Sequence, residues 1–440
     1  MMKPFIVVQG PVATRSGYGN HTRDLVTSLI KTNKYDIQIV SLPWGVTPMN
    51  ALEADNPDHI EITKRIATQN ITRKPDIFIQ ISVPNEFQAH GRYNIGVTAG
   101  VETTLVSHEF LQGCNRMDMI ITTSEFSKKG FTDTVYDQVN KQTDQKSGEL
   151  RLTKPIKVLF EGVDTNVYKK VSTIDKSIID ELSAIKDDFC FLFVGHWLKG
   201  DVGQDRKDVG MMLKTFCEAF KRKASKNRPG LILKTSHATF SIMDRDQIVS
   251  KIQHVIAPYG DKAPNIYLIH GDLSDAEMNS LYNHTKVKAM VSFTKGEGFG
   301  RPLAEFGTTG KPIIASNFSG HIDFLKHATL LPGNLTDVHP SAADQFILKE
   351  GKWFTVNYSY AAKILQDVID NYKKYCEVSR KQSHHIKTNF SLDLMKEKFA
   401  KYIDEAIASV PQQTALKLPK LKKVNKSPKL KLPKLKKVEL

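Results

Sequence analysis

Short apolar runs alternate with amphipathic stretches over the first 165 residues. PFIVVQG reads as a buried strand ending at Gly10. GNHTRDLVTSLIKT reads as a helix with Leu25, Val26, Leu29 and Ile30 on one face. DIQIVSLPW, PDIFIQISV, NIGVTAG and MDMIITTS predict four more strands, EFSKKGFTDTV a helix, and IKVLFEGVD closes the series. After a linker at roughly 165–188 the pattern starts again. FCFLFVGHW, GLILKTS, NIYLIHG, KAMVSFT and KPIIASN read as strands. VGMMLKTFCEAFKRKA, DRDQIVSKIQHVIAPYG, DAEMNSLYNHT and RPLAEFGTTG supply helices between them, the last closed by Gly310. Two late stretches, SYAAKILQDVIDNYKKYCEVSRKQSHHIKTN and SLDLMKEKFAKYIDEAIAS, are also helical in pattern.

Strands separated by helical segments imply parallel sheets with helices on both faces. The fold class is therefore α/β, with two Rossmann-like doubly wound domains. We expect an N-terminal domain over 1–170 and a second domain over 171–388. A helix at 389–410 is expected to pack back on the first domain, and a tail follows at 411–440.

Length and composition fit this reading. A chain of 440 residues, 40% hydrophobic and 25% charged, suits a soluble protein of two or three domains. No apolar run reaches the ~18–20 residues of a membrane span. The start, MMKPFIVVQGP, lacks the long apolar core of a secretory signal. Cys114, Cys190, Cys217 and Cys376 are widely spaced and form no CxxC pair, which points to ordinary thiols in a reducing cytoplasm.

Charge is unevenly distributed. The formal net charge is +15, and the segment 411–440 holds ten lysines and one acid, Glu439, leaving +6 for the rest. The nonamer LKLPKLKKV occurs twice in this tail, at 416–424 and 430–438. Its prolines block a regular helix and its lysines repel one another, so disorder is expected.

The segment Gly296-Glu297-Gly298-Phe299-Gly300-Arg301-Pro302-Leu303-Ala304-Glu305 holds the candidate chemistry. Seven residues separate its two glutamates. The first lies in a Gly-rich turn after a strand, the second in the following helix, so both can approach one ligand. Such a turn also offers free backbone N–H groups to phosphate.

This segment resembles the E-x7-E element of GT-B glycosyltransferases, and its wording, EGFGRPLAE, is similar to family 4. The flanks Leu273–Glu277, Leu281-Tyr282 and Gly310–Ser316 agree with that resemblance. So do Asn94–Thr98 with Glu102, then Asn115, Met117, Asp118, Ser124–Phe126 and Glu161-Gly162-Val163-Asp164. It spans most of 4–409 and implies a GT-B fold, a nucleotide-sugar donor and transfer with retention of anomeric configuration. UDP- or GDP-sugar would be a co-substrate, with no cofactor and no metal. Asp244-Arg245-Asp246 reads as a helix N-cap rather than a metal-binding Asp-x-Asp.

The resemblance also implies roles. Glu305 would accept hydrogen bonds from the ribose hydroxyls, since a carboxylate suits a vicinal diol. Glu297 would hold the transferred sugar. Gly298, Phe299 and Gly300 would bring backbone close to sugar and phosphate. Arg206 and Lys207 would neutralise the diphosphate leaving group. His196 stands after Gly195 where relatives carry Arg, and WLKGDVGQD is inserted before Arg206. Gly17 and Gly19 resemble the N-terminal glycine loop that faces the donor phosphates. Arg15 and His21 are candidate donor or acceptor contacts, His21 being alternatively a cap or surface residue. Glu102 lies near the place where relatives carry a sugar-touching His.

Three functions fit these residues. The first is a hexosyl- or pentosyltransferase acting on a glycan, lipid or protein. The second is a phage or viral enzyme that glycosylates a hydroxylated DNA base and docks through the basic tail. The third is a non-catalytic nucleotide-sugar-binding protein.

Overall fold

The computed structural model describes residues 3–140, 142–237 and 239–410. The basic repeat at 411–440 lies outside the described residues.

In the first half the chain runs β1 (Phe5–Gly10), α1 (Gly17–Thr32), β2 (Asp36–Ser41), α2 (Pro57–Thr63), β3 (Ile77–Ile81), β4 (Tyr93–Thr98), α3 (His108–Asn115), β5 (Met119–Thr122) and α4 (Glu125–Asp133). A hairpin, β6 (Tyr136–Val139) and β7 (Lys146–Leu150), precedes β8 (Ile156–Val158). Six strands form one parallel sheet in the order β2-β1-β3-β4-β5-β8. Its central strands bury nearly every side chain, as expected of a sheet covered on both faces.

The second half repeats the plan. It runs α5 (Lys176–Ser183), β9 (Cys190–Val194), α6 (Val209–Phe220), β10 (Gly230–Lys234), α7 (Ile242–Ile256), β11 (Ile266–Ile269) and α8 (Asp275–Asn283). Then come β12 (Val287–Ser292), α9 (Arg301–Gly307), β13 (Ile313–Ser316), β14 (Thr329–Leu331) and an antiparallel pair, β15 (Gly333–Asp337) and β16 (Lys352–Val356). The parallel sheet has the order β11-β10-β9-β12-β13-β14. Its strand order reverses between β9 and β12. Open α/β sheets bind ligands at the carboxyl ends of strands beside such a reversal. The loop after β9 carries Arg206 and Lys207, and the loop after β12 carries Glu297.

Three helices finish the described chain: α10 (Tyr358–Asp370), α11 (Tyr372–Asn389) and α12 (Leu392–Ser409). α12 presents Met395, Phe399, Ile403 and Ala406 from one face, all buried. Its Tyr402 hydroxyl donates to the Val158 carbonyl at 3.0 Å, and Tyr35 of the first half donates to Asp404 at 3.0 Å. No helix among the described residues is long and apolar enough to cross a membrane.

Several expectations need correction. The long helix read over 359–389 is two helices. Asn371 leaves helical geometry, and its amide donates to the Asp367 side chain at 2.7 Å, a local bond that competes with the helix. The linker at 165–188 contains α5. Asp244 is not an N-cap. Ser241 caps α7, while buried Asp244 sits in the first turn and accepts from the His237 and Thr239 backbones and pairs with His270 at 2.9 Å.

Candidate functional site

The turn between β12 and α9 is built by tight packing. A side chain at Gly296 would place its Cβ 1.9 Å from the Glu102 carbonyl oxygen, so only glycine fits there. Gly300 caps α9 at φ +96°, in the left-handed region. The Gly298 carbonyl accepts a hydrogen bond from Thr123 at 3.1 Å, which ties this turn to the end of β5 in the first half. Phe299 turns its ring inward, 2% exposed, against Phe324. The turn therefore presents backbone at the junction of the halves.

Glu297 stands on this turn, its backbone N–H donating to Ser319 at 2.9 Å. Its carboxylate forms an ion pair with Lys207 and lies 3.5 Å from Arg206. Arg206 also reaches Glu102 at 3.2 Å and donates to the Gly296 carbonyl at 2.9 Å. Burial alone would raise the Glu297 carboxyl. Lys207 and Arg206 outweigh burial and hold it at about 2.

Glu305 lies about one turn along α9 in a different setting. It accepts from Arg301 at 3.0 Å and from the Tyr282 hydroxyl at 3.3 Å. Burial pushes its carboxyl up to about 7 despite Arg301. Arg301 also pairs with Asp24 of α1 at 2.8 Å and stands 3.9 Å from Glu161, which burial likewise raises to about 7. One guanidinium thus links three acids from both halves.

The remaining candidates fall on the cleft between the halves. A cavity of about 840 Å³ is lined by Arg15, Gly17, Asp24, His196, Asp272 and Arg301 among others. Arg15 forms an ion pair with Asp272 across the cleft. Gly17 opens α1, whose N-cap Ser16 accepts from Gly19 at 2.9 Å; a Cβ on Gly19 would meet the Thr14 carbonyl oxygen at 2.2 Å. His196 sits 3.2 Å from Ser236, and burial, with Lys207 nearby, lowers its imidazole.

His21 is neither a cap nor a surface residue. It is 4% exposed, and among the described residues neither ring nitrogen has a hydrogen-bond partner. Burial, with Arg301 nearby, depresses it to about 3, so it is neutral. Arg206, Lys207, Glu297 and Glu102 make a deeper layer of ion pairs at the junction.

Sequence reasoning missed Arg301, Asp24, Tyr282 and Tyr18. Arg301 precedes Glu305 by four residues, a spacing that places both on one helix face, and that signal was available. Tyr18 left no such trace. It stacks on Trp44 at 4.1 Å between ring centroids, while its hydroxyl lies 3.1 Å from Thr98 and accepts from the Ala99 N–H at 3.0 Å.

No protein-family profile matches this sequence, and no curated protein sequence does. Solved structures do match. A glycosyltransferase from Rickettsia africae ESF-5 aligns at TM-score 0.61 and 13% identity, over 92% of this chain and 99% of that one. Sucrose-phosphate synthase from Thermosynechococcus elongatus aligns at TM-score 0.61 and 11% identity, over 92% and 100%. Anabaena HepE, in complex with UDP and glucose, aligns at TM-score 0.56 and 12% identity, over 91% and 100%. The fold is GT-B. At such identities the likeness is one of architecture. The candidate residues above sit where the two halves of that GT-B architecture meet.

Proposed function

We propose that this chain is a nucleotide-sugar-dependent glycosyltransferase that transfers with retention of configuration. One observation carries the reading. Two cations from the loop after β9 converge on Glu297 of the loop after β12, at the strand-order reversal, with Glu305 on the adjoining helix. A diphosphate needs clustered positive charge, and a sugar and a ribose need acceptors on either side of it.

In this reading the donor diphosphate takes Lys207 and Arg206 from Glu297, which turns to the sugar hydroxyls. Glu305 receives the ribose hydroxyls. The acceptor oxygen bonds to the anomeric carbon as the bond to the diphosphate breaks. The hydroxyl proton passes to a phosphate oxygen on the same face. The protein supplies position and charge. HepE was solved with UDP and glucose, which supports UDP as the nucleotide to try first. The wording EGFGRPLAE resembles family 4.

A thermal-shift screen with UDP, GDP, ADP and dTDP tests this. A nucleotide at 100 times its Kd should stabilise by about 2.7 kcal/mol. Glu305→Ala should abolish that shift. Absence of stabilisation by all four, with no nucleotide released from UDP- or GDP-sugars, would contradict the reading.

A further inference from the structure

The segment KRKASKNR at 221–228 carries five cations in eight residues and no acid, and the site at the domain junction uses none of them. It follows α6 directly. A groove of about 1060 Å³ runs between α6, this segment and the end of α7. Lys214, Lys221, Arg222, Lys223, Arg228 and Lys262 line it, against a single acid, Glu218.

Internal contacts account for only part of this charge. Lys221 pairs with Glu218 at 2.5 Å, and Lys223 lies 3.6 Å from Asp370. Arg228 donates to the carbonyls of Lys223, Asp261 and Ala263, which holds the segment against the turn that follows α7. Lys214, Arg222 and Lys262 are exposed, and their side chains make no hydrogen bond or ion pair among the described residues. The groove also contains an aromatic ring, Tyr259, with the Lys221 ammonium 5.8 Å from its centroid. Concavity, cations on both walls and an aromatic ring suit a chain of phosphates and bases better than a flat headgroup surface.

We infer that this groove binds the phosphodiester backbone of nucleic acid. All of its lining residues belong to the described part of the chain, and the inference draws on none of the lysines of 411–440. α6 begins just after Lys207 and runs twelve residues to the cation cluster. At about 1.5 Å per residue that is roughly 18 Å, so the groove anchors a polymer away from the donor residues. The groove stands independently of the proposed transferase activity.

The test uses the full chain and a labelled DNA duplex in anisotropy titrations at several salt concentrations. Each neutralised phosphate contributes about 0.9 to the slope of log K against log[salt]. The triple variant Lys214→Glu, Arg222→Glu, Lys262→Glu should therefore flatten the slope by about 2–3 and weaken binding at least about tenfold at about 150 mM salt. A matched control, Lys129→Glu, Lys154→Glu, Lys349→Glu, should leave the slope nearly unchanged. If the glutamate variant fails to fold, the glutamine series at the same three positions should give the same flattening. Photo-crosslinked duplex should mark peptides within 214–228 and 254–262. A groove variant that matches the control, crosslinks confined to 411–440, or binding to phosphatidylserine vesicles without binding to duplex would each overturn the inference.

Discussion

Glu297 and Glu305 sit in opposite electrostatic states. Two cations keep Glu297 ionised, while burial keeps Glu305 largely protonated below pH 7. The second state has a consequence for stability. Glu305 titrates near 4.5 when unfolded and near 7 when folded, so between those values only the folded protein holds the proton. Stability from this group therefore falls as pH rises through that window. Glu305→Gln removes this share, and its melting temperature should drop less than the wild type's between about pH 5 and pH 8. An equal drop in both would contradict the burial argument. Lys207 acts on charge that develops in the reaction. Lys207→Ala should lower kcat by on the order of 100-fold, and Lys207→Arg should restore part of it. Steady-state kinetics with the donor found by thermal shift would show this. At this scale the sequence revealed the acids and cations of one motif. It did not reveal that Arg301 bridges Glu305, Asp24 and Glu161, because Asp24 and Glu161 join it only through the packing of the two halves.

Among the elements, the turn from β12 to α9 is the most constrained. Gly296 touches the Glu102 carbonyl so closely that Gly296→Ala must push the loop after β4 away. The expected outcome is a loss of about 1–3 kcal/mol in chemical denaturation and weaker donor binding, since Glu102 moves with that loop and its ion pair with Arg206 is disturbed. Retention of wild-type stability would show that the loop yields freely. The parallel strands were readable because apolar runs such as FIVVQG and CFLFV are buried on both faces. The β6–β7 and β15–β16 pairs were not. YDQV and GNLTD are largely exposed, so no apolar alternation marks them. The break at Asn371 escaped notice because both flanking helices share an amphipathic pattern.

Across the whole molecule, ion pairs join the halves at Arg15–Asp272, Arg206–Glu102 and Arg301–Asp24. The twofold α/β plan was legible in the chain. These charge pairs were not, because each joins residues 104 or more positions apart. The tail is a separate matter of charge. Removing 411–440 takes away ten lysines and should leave folding and nucleotide binding intact while weakening salt-sensitive DNA binding. Identical DNA affinity after truncation would remove the tail from consideration as an anchor. The central proposal, that the junction residues hold a nucleotide-sugar, is tested most directly by a crystal structure with the nucleotide that gives the largest thermal shift. The expected result places the diphosphate within hydrogen-bond distance of Lys207 and Arg206 and the ribose hydroxyls on Glu305, with the Lys207–Glu297 pair opened. A nucleotide bound elsewhere, with Lys207 still paired to Glu297 and Arg301 to Glu305, would contradict it.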